Sequence, residues 1–220
     1  FFAINSTLVA QTYSGGSGTQ TDPYLISTRA DMAALAMAVN GGNDYANKYF
    51  LLTQNLTNIS TVIGSSGHFS GIFDGGGYGL TLNINVNTTG TANTGVFGHI
   101  SDATIKNLSV SGTIVSSGRA SYAGGIFGYG SGTISNCYNT ANISSFGSDG
   151  NNYVSASSYS GGICGYAIRS TISNCYNTGN LQSIVSSVYY PGNCYSGGIC
   201  GTGNKITSCF VCQVIKEEKD

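Results

Sequence analysis

Ser160-Gly161-Gly162-Ile163-Cys164-Gly165-Tyr166, a short link, then Ser170-Thr171-Ile172-Ser173-Asn174-Cys175-Tyr176-Asn177-Thr178-Gly179: this stretch occurs again on both sides of itself. The preceding copy reads Ala123-Gly124-Gly125-Ile126-Phe127-Gly128-Tyr129, then Gly132-Thr133-Ile134-Ser135-Asn136-Cys137-Tyr138-Asn139-Thr140. The following one reads Ser196-Gly197-Gly198-Ile199-Cys200-Gly201, then Lys205-Ile206-Thr207-Ser208-Cys209-Phe210. Weaker copies start at Thr94-Gly95-Val96-Phe97-Gly98 and at Ser70-Gly71-Ile72-Phe73-Asp74. A spacing of about 24 to 37 residues is that of a repeat array. Each unit holds two or three short apolar runs and cannot bury its own face, so the units must stack around one continuous core. The expected fold is an all-β solenoid.

Composition narrows the function. Of 220 residues only 8% are charged, net charge is −1 and tryptophan is absent, while glycine, serine, threonine and asparagine abound. No cluster of Lys or Arg is available to neutralise phosphates, which argues against nucleic acid, and the near-zero charge argues against anionic membranes. No run approaches the roughly 18 apolar residues of a membrane span, so direct membrane insertion is not expected. The chain lacks an initiator Met, as a processed chain or a piece of a longer parent would. Phe1 to Ala10 reads as a terminal strand in preference to a signal-peptide remnant, since it carries Asn5-Ser6-Thr7 and no charged start.

Three regions are expected: an apolar strand and flexible turn over 1–17, a single repeat domain over 18–215, and a charged tail over 216–220. Thr28 followed by Asp31 makes a capping-box start, and Met32, Leu35, Met37 and Val39 lie among alanines before Asn40-Gly41-Gly42 ends the run. This helix is placed to cap the first repeat. In Leu80-Thr81-Leu82-Asn83-Ile84-Asn85-Val86 the strict alternation puts Leu80, Leu82, Ile84 and Val86 on a core face. Ile105 and Leu108 are three apart and both point inward only if the backbone bends between them, which Asn tolerates. Asn107, Asn136 and Asn174 should then stack as an amide ladder that Ser208 ends.

Seven cysteines, Cys137, Cys164, Cys175, Cys194, Cys200, Cys209 and Cys212, lie in the second half. Cys164 and Cys175 occupy the positions held earlier by Phe97 and Leu108, and Cys200 and Cys209 occupy them again. The sequence therefore predicts bridges Cys164–Cys175 and Cys200–Cys209 within their own repeats, against the alternative that buried thiols serve as small apolar groups. Zinc is not expected: no matching Cys pairs have ribbon spacing, and His68 and His99 are far off in sequence.

At residues 123–140 and 160–179 the chain resembles the GLUG-motif proteins, repeat-bearing bacterial surface proteins. Asp22-Pro23-Tyr24-Leu25-Ile26, Tyr49-Phe50-Leu51-Leu52 and Phe69-Ser70-Gly71-Ile72-Phe73-Asp74-Gly75 are similar to the region that often precedes those repeats. The resemblance implies a right-handed parallel β-helix at the cell surface or outside the cell, acting as an adhesin. The extra cysteines, the insertions at 144–159 and 181–195 and the first 17 residues depart from the pattern.

The function expected is therefore non-enzymatic: adhesion, or a structural subunit of a surface assembly. The alternative is a carbohydrate-active β-helix of lyase or glycosidase type. Such chemistry needs grouped carboxylates, and Asp22, Asp44, Asp74, Asp102 and Asp149 are scattered singly, so no catalytic, metal or cofactor residue is assigned. Six Asn-x-Ser/Thr triplets are close to chance in so Asn-rich a chain; Asn5, Asn58, Asn87 and Asn142 are the N-glycosylation candidates, whereas Asn107 belongs to the ladder. Tyr153, Tyr159, Tyr189, Tyr190 and Tyr195 are expected in loops, where they either offer a contact surface for a cell-surface protein or glycan or pack over the flank of the solenoid. Partnering with further copies is a third expectation. Phe1, Phe2, Ile4, Leu8 and Val9 would dock on Phe210, Val211, Val214 and Ile215 of the next molecule, and such a head-to-tail contact propagates into a filament.

Overall fold

The structure, a computed structural model, describes residues 13–150, 155–186, 192–203, 205–211 and 215–219, of which 210, 211 and 215–219 are described by backbone alone. The chain is all-β, with one helix among the described residues and every named strand pairing parallel. Strands fall into three sheets, none of which closes on itself. The first sheet holds Tyr24–Ile26, Tyr49–Leu52, Ile72–Asp74, Phe97–Lys106, Phe127–Ser135, Cys164–Ala167 with Thr171–Ser173, and Cys200–Thr202 with Lys205–Thr207. The second holds Leu56–Ile59, Gly79–Asn87, Ser109–Gly118, Tyr138–Asn139 with Asn142–Ser148, Tyr176–Asn177 with Leu181–Ser186, and Phe210–Val211 with Ile215–Lys219. Thr91–Thr94, Ala120–Gly124, Ser157–Gly161 and Asn193–Gly197 form the third.

Each copy of the repeat lies beside the next in register, so equivalent letters stand in columns. Phe97, Phe127, Cys164 and Cys200 make one column. Phe50, Phe73, Ile105, Ile134, Ile172 and Ile206 make another. Most of these side chains are fully buried, and the core runs unbroken from Tyr13 to Ile199. In Gly79–Asn87 the even positions Leu80, Leu82 and Ile84 are buried and the odd ones exposed, as the alternation requires.

The bend predicted from the Ile105/Leu108 spacing is present. Asn107, Asn136 and Asn174 have φ of 54°, 53° and 52°, and Ser208 keeps the same left-handed backbone at 51°. Ile105 and Leu108 are both fully buried as a result. The amide ladder runs from Asn136 Nδ2 to Asn107 Oδ1 (3.1 Å) and from Asn107 Nδ2 to Asp74 Oδ1 (2.9 Å). It is a half-buried, surface-side ladder and not an interior one, and Asn174 is exposed.

The helix Arg29–Asn40 forms with the capping box expected of Thr28 and Asp31, and ends at Gly41. Met32, Leu35, Ala36 and Val39 enter the core, whereas Met37 points outward and is 74% exposed. No described helix is long and apolar enough to cross a membrane. The stretch 13–19 differs from the flexible turn expected of its glycines and serines. Tyr13 packs edge-on to Phe50 and donates its hydroxyl to Tyr45 Oη at 2.8 Å, while the N–H groups of Ser17, Gly18 and Thr19 converge on Asp22 O. At the other end, the charged stretch continues as a strand: Ile215–Lys219 pairs with Leu181–Ser186.

Candidate contact surface

The third sheet passes to the first through the Gly-Gly pair of each repeat. A Cβ on Gly124 would stand 2.1 Å from Phe127 O and 2.5 Å from Cys164 Cα, and one on Gly125 would stand 2.4 Å from Gly162 O. Only glycine lets neighbouring copies approach this closely. The tight corner sets outward-facing residues of the two sheets side by side, so that the rings of Tyr122 and Tyr129 lie 5.4 Å apart.

Register extends this pair into two parallel columns. In the third sheet Tyr122, Tyr159 and Tyr195 are aligned and their rings stack at 5.0 and 5.2 Å, with interplanar angles of 22° and 23°. In the first sheet His99, Tyr129 and Tyr166 are aligned, with centroids 5.4 and 5.7 Å apart. The columns interlock edge to face, Tyr166 lying 5.7 Å from Tyr122 and 5.4 Å from Tyr159. All but Tyr195 are half-buried, and Tyr195 is 46% exposed. Six rings thus form one flank on which each ring holds the next in place.

The six rings are five phenols and one imidazole. Burial, followed by the neighbouring phenols, pushes the Tyr122 hydroxyl above the ordinary tyrosine range, and burial does the same to Tyr159. Burial, with His68 beside it, holds His99 below the usual imidazole value. The His68 ring lies 5.6 Å from that of His99, tilted by 56°, and 3.9 Å from Asp44 Oδ2, a distant and exposed pairing.

Behind the rings runs a line of buried hydroxyls. Thr94 Oγ1 and Ser116 Oγ are 2.8 Å apart; Ser121 donates to Ser116, Ser145 to Ser121 and Ser158 to Ser145, at 2.8, 2.8 and 2.9 Å. Ser183, Ser160 and Ser196 repeat the arrangement in the next copy. A second interior device is Asn139, which brackets Ala141 through both the N–H and the C=O and also donates to Asn177 Oδ1 at 2.6 Å. Asn177 brackets Gly179 in the same way. Both polar sets close gaps where the strands turn, as buried polar groups must be bonded.

Among the predicted site residues, Asn58, Asn87 and Asn142 are exposed, while Asn107 is engaged by Asp74 and Asn136; Asn5 lies outside the described residues. Phe1, Phe2, Ile4, Leu8, Val9 and Val214 also lie outside them, and Phe210, Val211 and Ile215 are described as strand backbone alone. The predicted bridges Cys164–Cys175 and Cys200–Cys209 are not formed: all four residues are free thiols. Register instead sets Cys164 opposite Cys200 in the neighbouring copy. Among the described residues no group of three or more His, Cys, Asp or Glu side chains is set to hold a metal ion.

The predicted Tyr159 and Tyr195 belong to the flank, but they sit in strands and not in loops; Tyr153, Tyr189 and Tyr190 lie outside the described residues. Tyr122, Tyr129, Tyr166 and His99 are members that the sequence pattern does not single out. On the second sheet Tyr138 and Tyr176 make a smaller exposed pair, 4.8 Å apart, beside Asn55, Thr57, Thr81, Ser111 and Thr140.

Residues 156–182 match the family model of the GLUG motif. The matched stretch is one structural unit: a strand of the third sheet, two of the first and the start of the second. No curated protein and no solved structure matches the chain. The chain thus contains a GLUG motif, at residues 156–182, and that stretch carries Tyr159 and Tyr166 of the aromatic flank.

Proposed function

We propose that the chain is a right-handed parallel β-helix, exposed at a cell surface or secreted, that acts without enzymatic activity as an adhesive contact module. The observation that carries this reading is the pair of interlocked columns, His99–Tyr129–Tyr166 and Tyr122–Tyr159–Tyr195, on one flank. Aromatic rings held rigidly by one another lose little conformational entropy on contact and offer apolar faces and edges with polar tips, the properties of contact hot spots. A cell-surface protein or glycan is the partner class that such a surface suits. The carboxylates support the non-enzymatic reading. Asp74 is engaged by Gly76, Asn107 and Lys106, Asp102 by Ser131, and Asp44 by Ala46 and His68.

The test is attachment of beads coated with the intact chain to cell surfaces, compared with a Tyr159→Ser/Tyr166→Ser variant of unchanged circular dichroism. The reading expects wild-type beads to attach and the variant to lose at least about tenfold in apparent affinity, the effect of about 1.4 kcal/mol. Equal attachment of the two proteins would overturn it.

A further inference from the structure

Five thiols stand in two columns inside the repeat stack. Cys164 and Cys200 are register partners on adjacent parallel strands. The second column is Cys137, Cys175 and Cys209. Ser173 is opposite Thr207 and Tyr176 opposite Phe210, a constant offset that sets Cys175 opposite Cys209. Within this column Cys137 N–H donates to Cys175 Sγ at 3.4 Å, and the Cys209 thiol reaches back to Ile172 O at 3.8 Å.

We propose that Cys164–Cys200 and Cys175–Cys209 are sites of disulfide formation between adjacent repeats, closed by a small-molecule disulfide in an oxidising compartment. Adjacent strands lie about 4.7–4.9 Å apart, inside the Cα window of about 4.4–6.8 Å that a disulfide spans. In-register partners therefore meet the Cα requirement, and a small inward shift of the two Cβ atoms completes the geometry. Access fits as well. Cys200 and Cys209 are half-buried while Cys164 and Cys175 are buried, so each pair offers one sulfur to an external oxidant. The Cys200 thiolate attacks one sulfur of the oxidant, whose other sulfur leaves as a thiolate. The Cys164 thiolate then displaces the second oxidant thiolate from Cys200. Two protein thiols are oxidised, one small disulfide is reduced to two thiolates, and the two protons lost by the protein thiols pass through solvent to those thiolates, giving two small thiols. Cys209 and Cys175 follow the same sequence, leaving Cys137 a buried thiol.

The consequence is local. Both bridges would tie the copy containing Cys200 and Cys209 to its neighbour; in that copy Ile206 is 43% exposed, whereas its counterparts Ile105, Ile134 and Ile172 are buried. Its bend residue, Ser208, also replaces the Asn of the other copies. Two cross-links on different columns would stop it from fraying or sliding in register.

The experiment is to incubate the intact chain with glutathione disulfide, alkylate remaining thiols under denaturing conditions, and map peptides after trypsin plus chymotrypsin. Cleavage at Arg169, Tyr176, Tyr195 and Lys205 separates all four sulfurs. The expected products are Cys164 linked to Cys200 and Cys175 linked to Cys209, with Cys137 alkylated. The oxidised protein should lose roughly 5–15 °C in Tm on reduction. Cys200→Ser and Cys209→Ser should each shrink that loss and Cys137→Ser should keep it. Links Cys164–Cys175 or Cys200–Cys209, a link from Cys212 to any of the four, full alkylation after oxidation, or a Tm indifferent to reductant would each overturn the proposal.

Discussion

Asn139 and Asn177 face each other across adjacent repeats with no solvent exposure, Nδ2 of the first lying 2.6 Å from Oδ1 of the second. Each amide also bonds both backbone groups of the residue two positions on, so it replaces the ladder where the strand breaks. Asn139→Ala leaves the buried N–H and C=O of Ala141 without these side-chain bonds and removes one donor from Asn177 Oδ1, which keeps the Gly179 N–H. The expected cost is about 1–3 kcal/mol in urea unfolding. Asn136→Ala, in the half-buried outer ladder where water can substitute, should cost less. The opposite order would show that the outer ladder is the structural one.

The hydroxyl line gives a similar contrast within one strand. Ser145 donates to Ser121 and accepts from Ser158, all three fully buried, while the adjacent Ser144 faces outward. Ser145→Ala should lower stability by roughly 1–3 kcal/mol, and Ser144→Ala should stay within about 0.5 kcal/mol of wild type. Equal effects in a thermal melt would remove the line from the account.

Gly124 turns the corner that brings Tyr122 beside Tyr129. An alanine methyl here would stand 2.1 and 2.5 Å from backbone atoms of Phe127 and Cys164, so Gly124→Ala should cost about 3 kcal/mol or more and splay the rings. Tyrosine fluorescence and the unfolding midpoint report both changes. A variant of native stability would mean that the corner can open.

For pH, burial works to raise the Asp31 carboxyl, but hydrogen bonds from Ser14, Thr28 and the Ser27 and Thr28 N–H groups outweigh it and hold it below the ordinary 3.8. A depressed folded value means that this stabilisation is complete above the ordinary value and is lost as pH falls through the folded one. The urea midpoint should therefore fall as pH drops below about 4, and Asp31→Asn should start lower at neutral pH and fall less. Parallel curves for the two proteins would contradict the assignment.

The repeat copies make much of this legible in the amino-acid sequence itself. Aligning Gly-Gly-Ile-(Phe/Cys)-Gly-Tyr and Thr-Ile-Ser-Asn-Cys places like letters in columns, and the Ile105/Leu108 spacing demands the Asn bend. The flank is harder to see. Alternation shows that Tyr122 and Tyr129 both face outward, but not that the Gly124-Gly125 corner is tight enough to make them neighbours. The interior polar residues are readable in principle. With Tyr138 and Tyr176 outward, Asn139 and Asn177 must face inward, and with Tyr122 and Tyr159 outward, Ser121 and Ser158 must do the same. Their polarity favours a surface reading until packing supplies partners. For the cysteines, the copies show which positions vary together within a repeat. They do not show that the neighbour one strand away is the closer partner.

The most direct measurement is a crystal structure of the chain. The account predicts a right-handed coil in which Tyr122, Tyr159 and Tyr195 stack about 5 Å apart, the spacing of adjacent strands, with His99, Tyr129 and Tyr166 beside them on the same flank. A left-handed path, antiparallel pairing of the repeats, or the two ring columns on different faces would contradict it.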